Sequence, residues 1–170
     1  AKEVATLDQL SNGRFLFGVG GGWNAEEMAD HGTVDFKGRF KLMDERVEAL
    51  RNIWTQNQPE FHGDSVDFGP MMTWPKPIQK PYPPIIVGGG FPYGARRAIS
   101  YGDGWMPIGD RVDVIELLPR FRQMAVEAGR EPDDIPVTSF GLQPESDLVA
   151  KTADAGIDRL QAQGYPHRTS

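Results

Sequence analysis

The run Ile85-Ile86-Val87-Gly88-Gly89-Gly90, followed by Pro92, a helix-like stretch over 95–101, the turn Gly102-Asp103-Gly104 and an apolar stretch over 105–108, decides the fold. A continuous aliphatic run ending in glycine reads as a strand covered on both faces. Proline suits the first turn of a helix, where its missing N–H has no partner to lose. A helix between two strands carries the chain back to the edge where it began, so the second strand pairs parallel to the first through a right-handed crossover.

The same alternation extends in both directions. Toward the N-terminus, Val4, Leu7 and Leu10 share one helical face that stops at Asn12-Gly13, and Phe15, Leu16, Phe17 and Val19 read as a strand covered on both faces and ending in glycines. Asn24 stands as an N-cap with Glu26 and Glu27 in the following turn, where carboxylates suit the helix dipole. Phe40, Met43, Val47, Leu50 and Trp54 then repeat at three- and four-residue intervals and predict a helix over 37–55. Toward the C-terminus, Val114, Leu117, Leu118, Phe121, Met124 and Ala125 mark a helix that ends at Gly129. A strand over 135–140, a helix over 147–155 stopped by Gly156, and a strand over 157–160 complete five strands separated by helices.

Residues 59–84 interrupt this order. Glu60-Phe61-His62 and Val66-Asp67-Phe68 flank Gly63-Asp64-Ser65 as a hairpin, and six prolines follow between Pro70 and Pro84. Met71, Met72 and Trp74 within that stretch predict an ordered loop over an active face, not a linker. Two architectures satisfy the alternation: an open doubly wound sheet, and part of a (β/α)8 barrel, which in full takes eight strands and about 250 residues.

Composition excludes several function classes. The 170 residues contain no Cys, which removes thiol catalysis, Cys-ligated zinc and iron–sulfur clusters and fits a cytoplasmic setting. The 18 basic and 24 acidic residues give a net charge of -6 without a basic stripe, so nucleic acid is not an expected partner. No apolar run approaches a membrane span or a signal core. His31, His62 and His167 lack ligand spacing, so no metal site is expected. No Ser stands in a nucleophile elbow.

Two glycine clusters follow predicted strands, where α/β proteins bind ligands. Gly18-Val19-Gly20-Gly21-Gly22-Trp23 departs from a dinucleotide fingerprint at its third glycine, where Trp23 stands. Gly88-Gly89-Gly90 before a helix either holds a phosphate with bare amides or forms a tight turn with positive φ. Arg96 and Arg97, one turn later, either neutralise that phosphate or form a solvated face, and the solvated face is favoured. Trp23 is a pocket wall or a packing aromatic, Trp54 is core, Trp74 is lid or filler, and Trp105, after a strand-entry glycine, points into the barrel. Dipole complementarity explains Glu26 and Glu27 without a catalytic role.

The residues 1–15 (Ala-Lys-Glu-Val-Ala-Thr-Leu-Asp-Gln-Leu-Ser-Asn-Gly-Arg-Phe), Gly18-Val19-Gly20-Gly21-Gly22-Trp23-Asn24, Glu60-Phe61-His62-Gly63, Pro75-Lys76-Pro77-Ile78-Gln79-Lys80-Pro81, Pro84-Ile85-Ile86-Val87-Gly88-Gly89-Gly90 and Gly102-Asp103-Gly104-Trp105 together resemble the luciferase-like monooxygenase superfamily, particularly its coenzyme F420-dependent oxidoreductase branch. The resemblance runs to about residue 160; the tail Gln163-Gly164-Tyr165-Pro166-His167-Arg168-Thr169-Ser170 departs from it.

That resemblance implies a partial (β/α)8 TIM barrel, one domain over 1–170, supplying roughly strands four to eight and lacking the first three βα units. It implies a flavin or deazaflavin at the C-terminal ends of the strands: coenzyme F420, or FMN as the alternative. By the same resemblance Gly20, Gly21 and Gly22 lie against the cofactor, Trp23 and Asn24 border its ring or the substrate, and Gly88, Gly89 and Gly90 meet its phosphate. The expected activity is hydride transfer or oxygen activation on a small organic substrate, with no residue of the chain assigned as catalytic. The alternative is a truncated, non-catalytic remnant that binds a phosphate ligand or a partner. Unpaired sheet edges predict a homo-oligomer or self-association.

Overall fold

The computed structural model describes residues 1–32, 35–108, 113–142 and 145–162, without the side chains of residues 142, 146 and 162; the tail 163–170, with His167, lies outside the described residues. The chain forms two compact units, Ala1–Pro84 and Ile85–Ser170.

In the first unit, α1 (Lys2–Leu10) leads into β1 (Phe17–Val19), α2 (Ala25–Asp30) and α3 (Arg39–Thr55). The predicted stop of α1 is present, with Asn12 at φ 53 and Gly13 at φ 74. Its buried face differs from the prediction. Leu7 and Leu10 are 47% and 78% exposed, and Ala5 and Asp8 are buried in their place. The Asp8 carboxylate accepts hydrogen bonds from the Gln79 amide at 2.9 Å and from Gln79 Nε2 at 2.6 Å. Gln79 Nε2 also donates to the Phe15 carbonyl, and Gln9 Nε2 to the Lys76 carbonyl. The buried acid is satisfied by a partner 71 positions away, so helical apolar spacing could not locate the packed face.

α3 matches its prediction. Met43, Val47, Ile53 and Trp54 are buried, and Trp54 meets Phe17 edge to face at 5.8 Å and donates Nε1 to the Ala1 carbonyl. β1 alternates half-buried Phe15, Phe17 and Val19 with exposed Leu16 and Gly18, so it is covered on one face and not on two.

The hairpin forms as read, with β2 (Phe61–His62) antiparallel to β3 (Asp67–Phe68) and Phe61 opposite Phe68. Glu45 on α3 accepts from the Ser65 and Val66 amides, and Lys41 pairs with Asp64 at 2.5 Å. The proline stretch is ordered: Pro59, Pro77 and Pro83 are fully buried, and the buried Lys76 ammonium donates to the Ile53 and Gln56 carbonyls, closing the C-terminal end of α3. Burial pulls the Lys76 pKa below its ordinary value.

The second unit is built on parallel strands. β4 (Ile85–Gly88) is followed by α4 (Tyr93–Tyr101), β5 (Gly104–Met106), α5 (Val114–Glu127), a 3-10 turn over 132–134, β6 (Thr138–Leu142), α6 (Ser146–Asp154) and β7 (Arg159–Ala162). β4 pairs parallel with β5, single parallel bridges Trp105↔Val137 and Ile108↔Phe140 join β5 to the β6 chain, and β6 pairs parallel with β7. Gly129 at φ 74 and Gly156 at φ 86 follow α5 and α6, as their helix-stop reading requires.

Trp105 faces the helix layer, not the barrel interior as expected. It stands opposite Val87 in the ladder, and the Val87 side chain packs against the C-terminal end of α4, 2.8 Å from where a Cβ on Gly102 would stand. The Trp105 ring stacks on Phe121 of α5 at 4.8 Å. Alternation on the strand turns Gly104 the other way, toward Ile86.

Replacing Asp8 by Ala strands the Gln79 amide, and is expected to cost about 2–3 kcal/mol in chemical denaturation, with Asp8→Asn retaining part of that. The Lys41 ammonium, through its hydrogen bond and its charge, holds the Asp64 carboxyl below its ordinary value of 3.8, and Asp64 in turn raises Lys41. The pair therefore contributes above the unfolded pKa of Asp64 and is lost as pH falls through the lowered folded value. On the alkaline side it persists below the unfolded pKa of Lys41 and is lost as pH rises through the raised one. An NMR titration of the Asp64 carboxyl should show its midpoint return toward 3.8 in Lys41→Met.

Candidate functional site

Each unit carries one of the two glycine turns. In the first, Gly20, Gly21 and Gly22 leave β1 and lead to α2, whose N-cap Asn24 accepts from the Glu26 and Glu27 amides at 3.1 and 3.3 Å. A Cβ on Gly21 would stand 2.4 Å from the Phe40 ring, and Gly22 has φ +71 with the Met28 sulfur 2.8 Å from a Cβ position. These two positions require glycine for different reasons, close approach and backbone conformation. Gly20 has open space where a side chain would project. Among the described residues, the amides of Gly20, Gly21 and Gly22 donate to no acceptor. Trp23 is 86% exposed, so among the described residues it is not a packing aromatic.

A residue that the sequence reading missed fixes this turn. Arg39, at the start of α3, donates Nε to the Gly22 carbonyl at 3.3 Å and Nη1 to the Phe36 carbonyl at 2.7 Å. Its guanidinium lies 3.8 Å from the Phe36 ring centroid and 4.3 Å from that of Phe40. The signal was an arginine with aromatic residues three before and one after it at a helix start, which gives stacking on both sides.

In the second unit, β4 ends at Gly88, Gly89 takes φ +134, and Gly90 leads to α4 through Phe91 and Pro92. The Gly89 carbonyl accepts from Trp105 Nε1 at 2.9 Å, and its amide donates to the Met106 carbonyl, so β5 holds the turn from the side. Gly94 permits the helix to approach: a Cβ there would stand 2.2 Å from the Gly89 carbonyl oxygen. Gly90 faces open space, and its amide has no acceptor among the described residues.

The two arginines after this turn part company. Arg96 is exposed, 5.9 Å from the Tyr93 ring centroid, and fits the solvated face. Arg97 is half-buried, with an Nη 3.2 Å from where a Cβ on Gly89 would stand. Its charge is held at the glycine turn, against the reading favoured from sequence. Of the remaining aromatic and histidine candidates, Trp74 is 58% exposed, His31 is exposed, and His62 is exposed with Nδ1 hydrogen-bonded to Asp67 at 2.6 Å. No group of three or more metal-ligating side chains occurs, and no helix is long and apolar enough to cross a membrane, among the described residues.

Residues 1–144 match the luciferase-like monooxygenase family. The chain belongs to this family. It is 38% identical over 176 aligned positions to an uncharacterized protein of Mycobacterium tuberculosis, covering 100% of this chain and 59% of the relative. It is 34% identical to an FMNH(2)-dependent dimethylsulfone monooxygenase of Pseudomonas putida, covering 92% of this chain and 44% of that protein. It is 32% identical to an F420-dependent glucose-6-phosphate dehydrogenase of Amycolatopsis mediterranei, covering 79% and 41%. The solved structure of monooxygenase RslO1 from Streptomyces bottropensis superposes with a TM-score of 0.68 at 28% identity, covering 91% of this chain and 48% of that one. The fold is thus part of a luciferase-like (β/α)8 barrel, and the chain spans about half the length of the curated relatives it matches. Both F420-dependent and FMNH2-dependent proteins stand among these relatives, so the family cofactor is a flavin or deazaflavin.

Gly94→Ala should displace the β4–α4 turn or cost about 1–3 kcal/mol, the usual range for overpacking, whereas Gly90→Ala should leave thermal stability unchanged. Paired melting curves of the two variants check this.

Proposed function

We propose that this chain is part of a luciferase-like oxidoreductase that uses coenzyme F420 or FMN, with its phosphate at the glycine turn of the second unit, and acts on a small organic substrate. The observation that carries the reading is the β4–α4 turn, where the Gly90 amide has no acceptor among the described residues and an Nη of the half-buried Arg97 lies 3.2 Å from where a Cβ on Gly89 would stand. An unclaimed main-chain amide at the start of a helix, with a guanidinium beside the same turn, suits a phosphate. Of Gly88, Gly89 and Gly90, the last has the amide that would meet the phosphate, with Arg97 beside Gly89. Gly20, Gly21 and Gly22 offer amides without protein acceptors, and would lie against the ring system. Trp23, bare to solvent, and Asn24 would border the ring or the substrate.

When bound, reduced deazaflavin supplies a hydride, and reduced flavin also reacts with oxygen. The chain's own residues bind and orient. Arg39 fixes the carbonyl of Gly22, and Trp105 fixes the carbonyl of Gly89, so each turn is held by a side-chain donor. Having relatives of both cofactor types leaves F420 as the first choice on the sequence resemblance and FMN as the alternative.

Fluorescence titration of the chain with FMN, riboflavin and F420 tests the reading. Saturable binding of FMN or F420 is expected. Arg97→Met should weaken FMN by about tenfold, the scale of one charged hydrogen bond, and leave riboflavin, which has no phosphate, unaffected. A folded chain that binds neither coenzyme would overturn the proposal.

A further inference from the structure

A cavity of about 300 Å³ lies against the β1–α2 turn in the first unit, lined by the main chain of residues 20–22, by Met28, Leu42 and Met43, and by Arg39 and Arg46. Its volume is that of a small-molecule site. The α3 contribution follows one rule of helix geometry. Positions 39, 42, 43 and 46 are spaced three, four and seven apart and form a single stripe. The stripe has a cation at each end and aliphatic or thioether side chains between them.

The two cations differ in what they do within the chain. Arg39 spends Nε and Nη1 on carbonyls and leaves Nη2 without a partner among the described residues. Arg46 is exposed and pairs with no carboxylate among the described residues. The nearby acids are otherwise engaged: Glu45 accepts from Ser65 and Val66, Asp64 pairs with Lys41, and Asp35 accepts from the Lys37 amide. Arg46 also lines an adjoining cavity of about 430 Å³ with Leu42, His31, Asp35 and Ser65. In a chain of net charge -6, the 300 Å³ cavity is therefore lined by two arginines, a glycine turn whose amides have no acceptor among the described residues and an apolar wall, with no carboxylate in its lining.

We infer that this cavity recognises the anionic end of the substrate, a small organic acid whose carboxylate, sulfonate or phosphate meets Arg46 and Arg39 and whose apolar body lies on Met28, Leu42 and Met43. The inference deepens the proposed function and rests on it for the identity of the ligand as substrate. A coenzyme phosphate is the other source of such an anion. The proposed function assigns that phosphate to the second glycine turn, so the charge at Arg46 is assigned to the substrate.

Calorimetric titration of the coenzyme-free chain with hexanoate, hexanesulfonate and hexan-1-ol tests this. The two anions should bind saturably and the alcohol far more weakly. Arg46→Met should weaken hexanoate by about tenfold and Arg46→Lys should restore most of it, as expected for one charge-assisted contact. Arg46 is exposed, so the variant keeps its fold, and Leu42→Trp, filling both cavities, should abolish anion binding independently. FMN affinity should be the same in wild type and Arg46→Met. Equal binding of hexanoate and hexan-1-ol, or no effect of Arg46→Met, overturns the inference and leaves the coenzyme reading standing. A tenfold loss of FMN in Arg46→Met reassigns the anion to the coenzyme and also overturns it. Anion binding through Arg46 in a chain that takes neither FMN nor F420 removes the substrate assignment together with the proposed function.

Discussion

The approach of α4 to the end of β4 constrains everything the second unit can do. A helix that begins directly after a strand must bring its first turn against the strand's last carbonyls, and here the contact is so close that a Cβ at Gly94 would stand 2.2 Å from the Gly89 oxygen. Glycine at 94 lets the two main chains touch. Gly89 then adopts φ +134, its carbonyl is taken by Trp105, and its amide is taken by Met106. What remains unclaimed is the Gly90 amide and the space beside it. Arg97, three positions after Gly94 and on the same helix face, brings an Nη to 3.2 Å from where a Cβ on Gly89 would stand. One close contact thus fixes the backbone of the turn and leaves the Gly90 amide without an acceptor among the described residues.

The first unit achieves a comparable fixation by different means. Its turn is held by a side chain, Arg39, whose guanidinium stacks between Phe36 and Phe40 while donating to the Gly22 carbonyl. The loop of prolines is fastened to α1 by the buried Asp8 and to α3 by Lys76, so that a stretch with little regular structure is ordered by two charged side chains donating to or accepting from main-chain groups. Buried polar groups with complete partners specify one arrangement of a loop where apolar packing would permit several.

Elements whose stability depends on their own apolar stripe were legible in the sequence. The three- and four-residue spacing of Met43, Val47 and Trp54, and of Val114, Leu118, Phe121 and Ala125, corresponds to residues that are buried. Glycine stops at 13, 129 and 156 were legible because positive φ is a local requirement. α1 was readable as a helix but not as a packed surface. Leu7 and Leu10 satisfy the period, yet Ala5 and Asp8 are buried, and the reason for the latter is Gln79, far along the chain. The orientation of Trp105 was similarly hidden: a short strand shows which residues alternate, but only its register with Val87 says which face meets the helices.

The site was legible where bare main chain was the signal and obscure where charge was. Glycine runs after strands announce a turn, and the structure gives Gly21, Gly22, Gly89 and Gly94 separate steric reasons to be there. Adjacent arginines carry no such information. Arg96 and Arg97 are equivalent in composition, and a rotation of about 100° per residue on the helix separates them into one exposed to solvent and one held at the turn. Arg39 and Arg46 are seven positions apart in a helix rich in charge and would pass as part of its wet face. They become a pair only once the glycine turn packs beside Phe40 and lines the same cavity. Reading such sites from sequence therefore requires the helical phase of each cation relative to the nearest glycine turn, because that phase decides whether its charge is spent on water or on a ligand.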